Sequence, residues 1–271
     1  MELFGQPLAV IIKAERLLAR VGRARLLSET ELKHMKPANL TGRERAAYVQ
    51  NMFGRIAHRY DLMNRLMTFG QDIFWRKEVL RRAALPEGGM LLDLGSGTGD
   101  LALEALHQRP GITAVAGDFT LEMMLVGQQR LNGQAGPAWC GTDALNLPFP
   151  AGRFDAVISG FLMRNVSDVA QGLSEQWRVL KPGGRVVILD TTRPSQNLLT
   201  PFINLHMHTI IPALGRLLTG EVEAYTYLPD STEGFLTAEQ LADRMQKAGF
   251  ARVGFHRLNF GTIAIHWGEK A

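Results

Sequence analysis

The sequence predicts a doubly wound α/β fold: a mostly parallel sheet, helices on both faces, and an antiparallel strand at the C-terminus. Three observations carry that expectation. From Gly88 onward, short apolar runs alternate with stretches of helical periodicity, the pattern of consecutive βαβ units. LLDLGSGTGD (91–100) leads a strand into a helix through a glycine-rich turn. Near the C-terminus, strand-like runs at 252–259 and 262–267 are close enough to pair as an antiparallel hairpin around Phe260-Gly261.

Taken in order, the chain opens with a basic N-terminal helical arm, 1–43. On a 100° wheel over 7–27, Val10, Ala14, Leu17, Leu18 and Val21 form one stripe, with Lys13, Arg16, Arg20 and Arg23 roughly opposite. That pattern fits a helix lying on an anionic membrane surface, and equally one packed on the body with a solvated basic face. Residues 44–85 read as helix with an interruption near 68–70. Strands are expected at 90–94, 113–117, 138–140, 155–159 and 185–189, with helices at 101–107, 121–131 and 169–180 between them. A largely apolar helical insertion over about 195–235 interrupts the rhythm, and a helix at 238–248 precedes the terminal hairpin.

Composition narrows the class. At 271 residues, 46% hydrophobic and 21% charged, the chain can bury a sizeable core. One cysteine, Cys140, excludes an internal disulfide and any multi-cysteine metal site. Residues 1–50 hold nine Lys/Arg against five Glu, which accounts for the whole net charge of +4. The body is therefore neutral, which argues against a nucleic-acid partner. His206 and His208 lack a third ligand of matching context, so no metal is expected. A cytoplasmic location is expected, with membrane association through the arm left open.

The glycine turn points to a cofactor. Gly95, Gly97 and Gly99 follow a GxGxG spacing, and Asp93 stands two residues before the first glycine. A carboxylate there would repel a pyrophosphate but suits a cationic ammonium, which disfavours NAD. Asp118, at the end of the second strand, can accept both hydroxyls of a ribose. Asp143, after the third, can accept from an adenine amino group, with the Ala144 backbone beside it. Thr98 adds a hydroxyl near the methionine end, and Gly160 ends the fourth strand. Three acids at successive strand ends suit S-adenosylmethionine and its product S-adenosylhomocysteine.

The sequence also resembles the C-methyltransferases of menaquinone and ubiquinone biosynthesis over residues 49 to 270. The likeness rests on FGRIAHRYDLMNRLMTFG (53–70), LDLGSGTGDL (92–101), ALNLPFPAGRFD (144–155), RNVSD (164–168), RVLKPGGRVVIL (178–189), YTYLPDS (225–231) and FGTIAIHWG (260–268). It implies a class I S-adenosylmethionine-dependent methyltransferase fold, Rossmann-like and seven-stranded, over 44–271. Residues 44–85 would be a helical lid and 195–235 a substrate cap. The implied reaction methylates a ring carbon of a prenylated, demethylmenaquinol-like hydroquinone.

That chemistry needs an anion holder, because a ring carbon becomes nucleophilic when a neighbouring hydroxyl loses its proton. Arg164 offers a permanent charge and a fork of donors in a water-poor pocket. The resemblance implies that Asn165 and Tyr60 orient it. The alternative is an Arg164 that pairs with Asp61 or Asp168 and only braces the fold. Tyr60, Asp61 and Asn64 are expected on a lid face, and Tyr225 and Tyr227 as walls of the substrate cavity. GFLMRN departs from the family's SFGLRN: Gly160 replaces a serine, and Leu162 replaces a glycine and narrows the space beside Arg164. The Leu162 departure keeps one alternative open, methylation of another lipophilic phenol, sterol or amine. A further alternative, a non-catalytic cofactor-binding subunit of a biosynthetic complex, is opposed by the presence together of Tyr60, Arg164 and Asn165. A homodimer is left open.

Overall fold

The computed structural model describes residues 42–193 and 200–271; the arm helix expected over 7–27 and the first residues of the cap lie outside them. Seven strands form one sheet: β1 (Met90–Leu94), β2 (Thr113–Asp118), β3 (Ala138–Gly141), β4 (Phe154–Gly160), β5 (Leu180–Thr191), β6 (Phe250–Leu258) and β7 (Ile263–Lys270). Their spatial order is β3-β2-β1-β4-β5-β7-β6, and every pair from β3 to β5 is parallel. Strand β7 is antiparallel to both of its neighbours, β5 and β6, so it runs against the other six. The chain turns back across the sheet between β1 and β4. In open parallel sheets, the crevice at such a switch point, at the carboxyl ends of the strands, is where ligands bind.

Both faces of the sheet are covered, which is why its strands read as nearly continuous apolar runs. On one face, Leu91, Ala156, Ile158 and Val187 pack with Trp75 and Val79 of α3 (Gln71–Ala83) and Ala102 and Ala105 of α4 (Asp100–Gln108). On the other, Leu92, Val157 and Val186 meet Leu173 of α6 (Val169–Val179) and Met245 of α10 (Ala238–Lys247). Helix starts are set by capping side chains. Asp168 accepts from the Gln171 N–H at 3.0 Å, and Thr237 with Gln240 forms a capping box. Helix α5 (Leu121–Arg130) follows β2.

The expected lid is three helices: α1 (Gly42–Ile56), α2 (Tyr60–Met67) and α3. The break expected at 68–70 is present, with Phe69 and Gly70 at φ +52° and +76°. A second break, a 3₁₀ turn at Ala57–Arg59, carries no glycine or proline to announce it. The cap consists of α7 (Thr200–Leu205), a π-helical turn (His206–Ile210), α8 (Ile211–Thr219) and α9 (Val222–Glu233). Tyr48, Met52, Ile56 and Met63 of the lid bury against Ile211, Ala224, Tyr225 and Tyr227 of the cap.

Candidate functional site

Two cavities open at the carboxyl ends of the strands, one of about 100 Å³ and one of about 340 Å³. The smaller is built on the glycine turn. Gly95 and Gly97, at φ +67° and +56°, line it with Asp118, Ala144 and Gly160. The Gly97 N–H donates to Asp118 Oδ2 and the Thr120 N–H to Oδ1, both at 2.7 Å. Asp118 thus ties the glycine turn to the loop after β2 and still has lone pairs for a ligand. Helix α1 closes this side through Gln50, whose amide donates to the Phe119 carbonyl at 3.0 Å.

Of the three acids expected here, only Asp118 lines the cavity. Asp93 is sealed beneath the turn, where Oδ2 accepts the Ala102 N–H at 3.0 Å. Burial pushes its pKa up to about 7, the Ala102 bond opposes the rise, and Asp118 and Asp100 add to it. Asp143 is exposed, and its Oδ1 holds a local turn by accepting the Leu145 N–H at 2.9 Å. Thr98 faces the lid, its hydroxyl donating to Asp61 Oδ1 at 2.7 Å.

Four polar atoms around this turn are buried with no hydrogen-bond partner: Asp93 Oδ1, Ser96 Oγ, Thr142 Oγ1 and Ser159 Oγ. Unpaired buried polar groups are rare. Of these four only Thr142 lines the cavity, and its hydroxyl together with the lone pairs of Asp118 is what a ligand rich in hydroxyl and amino groups would satisfy. The residues present therefore fit S-adenosylmethionine.

The larger cavity takes Tyr60, Asn64, Arg164, Tyr225 and Tyr227 into its lining, together with Met52, Met63 and Trp75. Phe53, Tyr60 and Phe161 line both cavities and form the partition between them. The Phe53 and Tyr60 rings meet edge to face at 5.8 Å. Phe161 stands at φ +60°, a strained backbone for an aromatic residue, and such outliers persist where the surroundings over-determine them. Here Asn165 does so: its Nδ2 donates to the Phe161 carbonyl at 2.9 Å while its Oδ1 accepts the Tyr227 hydroxyl at 2.9 Å.

Arg164 pairs with neither Asp61 nor Asp168. Its Nη1 donates to Asp190 Oδ1 at 2.7 Å, and Asp190 Oδ2 accepts its backbone N–H at 3.2 Å. Asp61 instead joins Thr98 and Arg130, the latter at 2.6 Å, and lines neither cavity. The chain of ion pairs continues from Arg130 to Asp100 and from there through Arg76 to Asp72, fastening the lid to α4 and α5. Leu162 also lies elsewhere than expected. It lines the smaller cavity, with its Cδ1 2.8 Å from where a Cβ on Gly95 would sit. Asn165 lines that cavity too.

Burial raises the Tyr60 pKa, with its bond to Asn64 and the charge of Arg164 pulling the other way. Burial likewise pushes Tyr225 up to about 12. Its ring fits only because residue 215 is glycine, since a Cβ there would come within 2.1 Å. His206 lines the larger cavity, and His208 pairs with Glu233 at 2.9 Å. His266 is buried and bonded to the Ala238 carbonyl at 2.9 Å. Among the described residues, no group of three His, Cys, Asp or Glu could hold a metal ion.

Phe161, Phe53 and Asp190 escaped the sequence as site residues. Asp190 had a faint signal, an acid at the end of a buried-type strand. Phe161 had none, because left-handed φ at an aromatic residue is set by tertiary context.

A model described as the ubiE/COQ5 methyltransferase family matches residues 41–270. The chain is 46% identical over 222 residues to the ubiquinone/menaquinone biosynthesis C-methyltransferase UbiE of Desulfotalea psychrophila, covering 82% of this chain and 90% of that one. It is 43% identical to the demethylmenaquinone methyltransferase of Roseiflexus castenholzii, covering 84% and 95%. Among solved structures, the [4+2]-cyclase SpnF superposes with a TM-score of 0.61 at 16% identity, covering 85% and 96%. Phosphoethanolamine N-methyltransferase 2 of Haemonchus contortus, in complex with S-adenosyl-L-methionine, gives 0.56 at 17% identity, covering 72% and 52%. At those identities the solved structures share the fold alone.

Proposed function

The chain belongs to the ubiE/COQ5 methyltransferase family, and from that premise we propose that it methylates a ring carbon of a prenylated, demethylmenaquinol-like hydroquinone with S-adenosylmethionine. The observation that carries the reading is the partition. Two cavities of different chemistry, one rimmed by a glycine turn and Asp118, the other apolar with one buried arginine, share Phe53, Tyr60 and Phe161. When bound, S-adenosylmethionine supplies an electrophilic methyl group on a cationic sulfur. Asp118 would hold the ribose, and Thr142 with Ala144 would flank the adenine. The negative faces of the three rings suit a sulfonium cation between them.

On the other side, Arg164 would donate to the ring oxygen next to the accepting carbon. Donation to an oxygen that gains negative charge favours the phenolate, and excluded water strengthens it. A guanidinium does not lose its proton at workable pH, so Arg164 is an anion holder and not a base. Overall, a methyl group replaces a ring hydrogen and one proton is released. Asp190 positions Arg164, and Asn165 with Tyr227 positions Phe161. Holding two reactants at one aperture accounts for a large part of the rate.

Radiolabelled methyl transfer to a panel of prenylated quinols, with and without reductant, tests this. Transfer to a quinol only under reducing conditions is expected, with Arg164→Ala inactive yet binding S-adenosylhomocysteine normally. Transfer to an amine or sterol in preference to every quinol would favour the other acceptor class. The lipophilic phenol, sterol and amine readings otherwise have no observation in their favour.

A further inference from the structure

We infer that the mouth of the larger cavity is a bilayer-docking surface, with Phe69, Phe202 and Phe260 entering the apolar layer of a membrane. The inference rests on the prenylated-quinol reading above. All three residues line the cavity, yet they are 79%, 70% and 69% exposed, so they stand at its rim. They come from three parts of the chain: the turn after α2, helix α7, and the hairpin between β6 and β7. Phe69 stacks on His206 at 5.7 Å, one helical turn beyond Phe202, which joins the lid side of the rim to the cap side.

A single exposed phenylalanine needs no explanation, but three around the entrance of one apolar cavity do. The backbone beneath two of them is unusual in the same way. Phe69-Gly70 stands at φ +52° and +76°, and Phe260-Gly261 at +56° and +85°. Left-handed φ is strained for an aromatic residue, and the chain adopts it twice in the same dipeptide to present a ring to solvent.

A bilayer fits this surface because the surface is continuous with the cavity behind it. At about 340 Å³ the cavity is at the small end of ligand pockets, so a long-tailed substrate is held by its ring end. The remaining tail leaves through the rim, and every methylene left in water is unfavourable. A membrane extends the apolar path and is also the store from which such a substrate comes. Arg65 and Arg257 flank the two Phe-Gly turns, their Cδ atoms 3.6 Å and 3.8 Å from where Cβ atoms on Gly70 and Gly261 would sit. Both are engaged with acids, Asp72 and Glu239, so attraction to anionic headgroups is secondary to insertion of the rings.

Flotation of the full chain with vesicles of phosphatidylcholine alone, and of phosphatidylcholine with phosphatidylglycerol, tests the surface. Binding to both is expected. The triple variant Phe69→Ser, Phe202→Ser, Phe260→Ser should lower the partition coefficient at least ten-fold on both, with S-adenosylhomocysteine affinity unchanged. Unchanged partition overturns the proposal. In a second measurement, Phe260→Trp should be quenched by lipids brominated along their acyl chains, and absence of quenching also overturns it. Should the triple variant keep its vesicle binding but lose a dimer in sedimentation equilibrium, the rim is an interface between copies instead. None of these assays needs turnover. Methyl transfer to a short-tailed, water-soluble quinol tests the functional reading separately, so either can fail while the other stands.

Discussion

Arg164 and Asp190 form an ion pair in which both partners are buried, 6% and 1% exposed, with Nη1 and Oδ1 2.7 Å apart. The same carboxylate accepts the Arg164 backbone N–H and, at 2.8 Å, that of Thr191. One carboxylate thereby fixes the side chain and main chain of Arg164 together. The pair is close to neutral, so Arg164 brings directed donors to the cavity more than free charge.

Asp190→Asn should lower kcat about 100-fold, the scale of losing one preorganised donor, while leaving S-adenosylhomocysteine affinity within two-fold. With the balancing charge gone, the substrate phenol ionises more easily, so the acid limb of the kcat profile should move to lower pH. Asp190→Glu keeps the charge and should recover part of the rate. A profile that keeps its shape would assign Asp190 to folding alone.

Under the proposed function, Asp93 would link cofactor binding to pH. With its pKa raised to about 7, the free protein carries a neutral carboxyl at pH 6, and a cationic ligand above it favours ionisation. Binding of S-adenosylmethionine should release up to one proton near pH 6.5, measured by calorimetry in buffers of different ionisation enthalpy. Affinity should rise from pH 6 to 8. A raised carboxyl pKa lowers stability as pH climbs from the unfolded value toward 7, so Asp93→Asn should raise the ligand-free Tm at pH 8. That variant should also abolish the proton release.

Leu162 lines the smaller cavity, which under the proposed function is the cofactor side. Leu162→Ala should therefore change S-adenosylhomocysteine affinity while leaving the ratio of kcat/KM between two quinols within two-fold. A changed preference among quinols would return Leu162 to the acceptor pocket. Gly95→Ala would meet Leu162 at 2.8 Å from a backbone at φ +67°, and a loss of more than about 1 kcal/mol is expected in denaturant unfolding.

The lid fastening divides into a weak and a strong part. Arg130 is partly solvated, so Arg130→Ala should cost about 0.5–1 kcal/mol and do so mainly at low salt. Asp61→Ala leaves the buried Thr98 hydroxyl unpaired, a loss of about 1–3 kcal/mol that should appear as weaker cofactor binding. Equal effects of the two variants would mean that the ion pairs, and not Thr98, carry the fastening.

Much of the fold is legible because the signals are local. Each strand from Met90 to Leu189 is an apolar run ended by glycine, proline or an acid, and βαβ handedness then leaves few topologies. The glycine turn and Arg164 are legible for the same reason. Asp190 is not, since it meets Arg164 from 26 residues away and only the β4–β5 pairing brings them together. The turn at Ala57–Arg59 carries no breaker residue. Leu162 is legible as a departure but not as to side, because the left-handed Phe161 before it redirects the chain. Spacing placed three acids at strand ends, and side-chain packing then turned Asp93 downward and left Asp143 in solvent.

Under the proposed function, the tether from Tyr227 through Asn165 to Phe161 gives the two chambers a physical route for coupling, and any such coupling is reciprocal. The Phe161 ring is a wall of both, and its backbone is pinned to the cap. Whatever factor an occupied cofactor chamber adds to quinol affinity, an occupied quinol chamber must return to the cofactor. A methylated product in the larger chamber would by the same linkage shift the equilibrium affinity of the smaller chamber for spent cofactor by whatever factor that cofactor shifts the affinity for product.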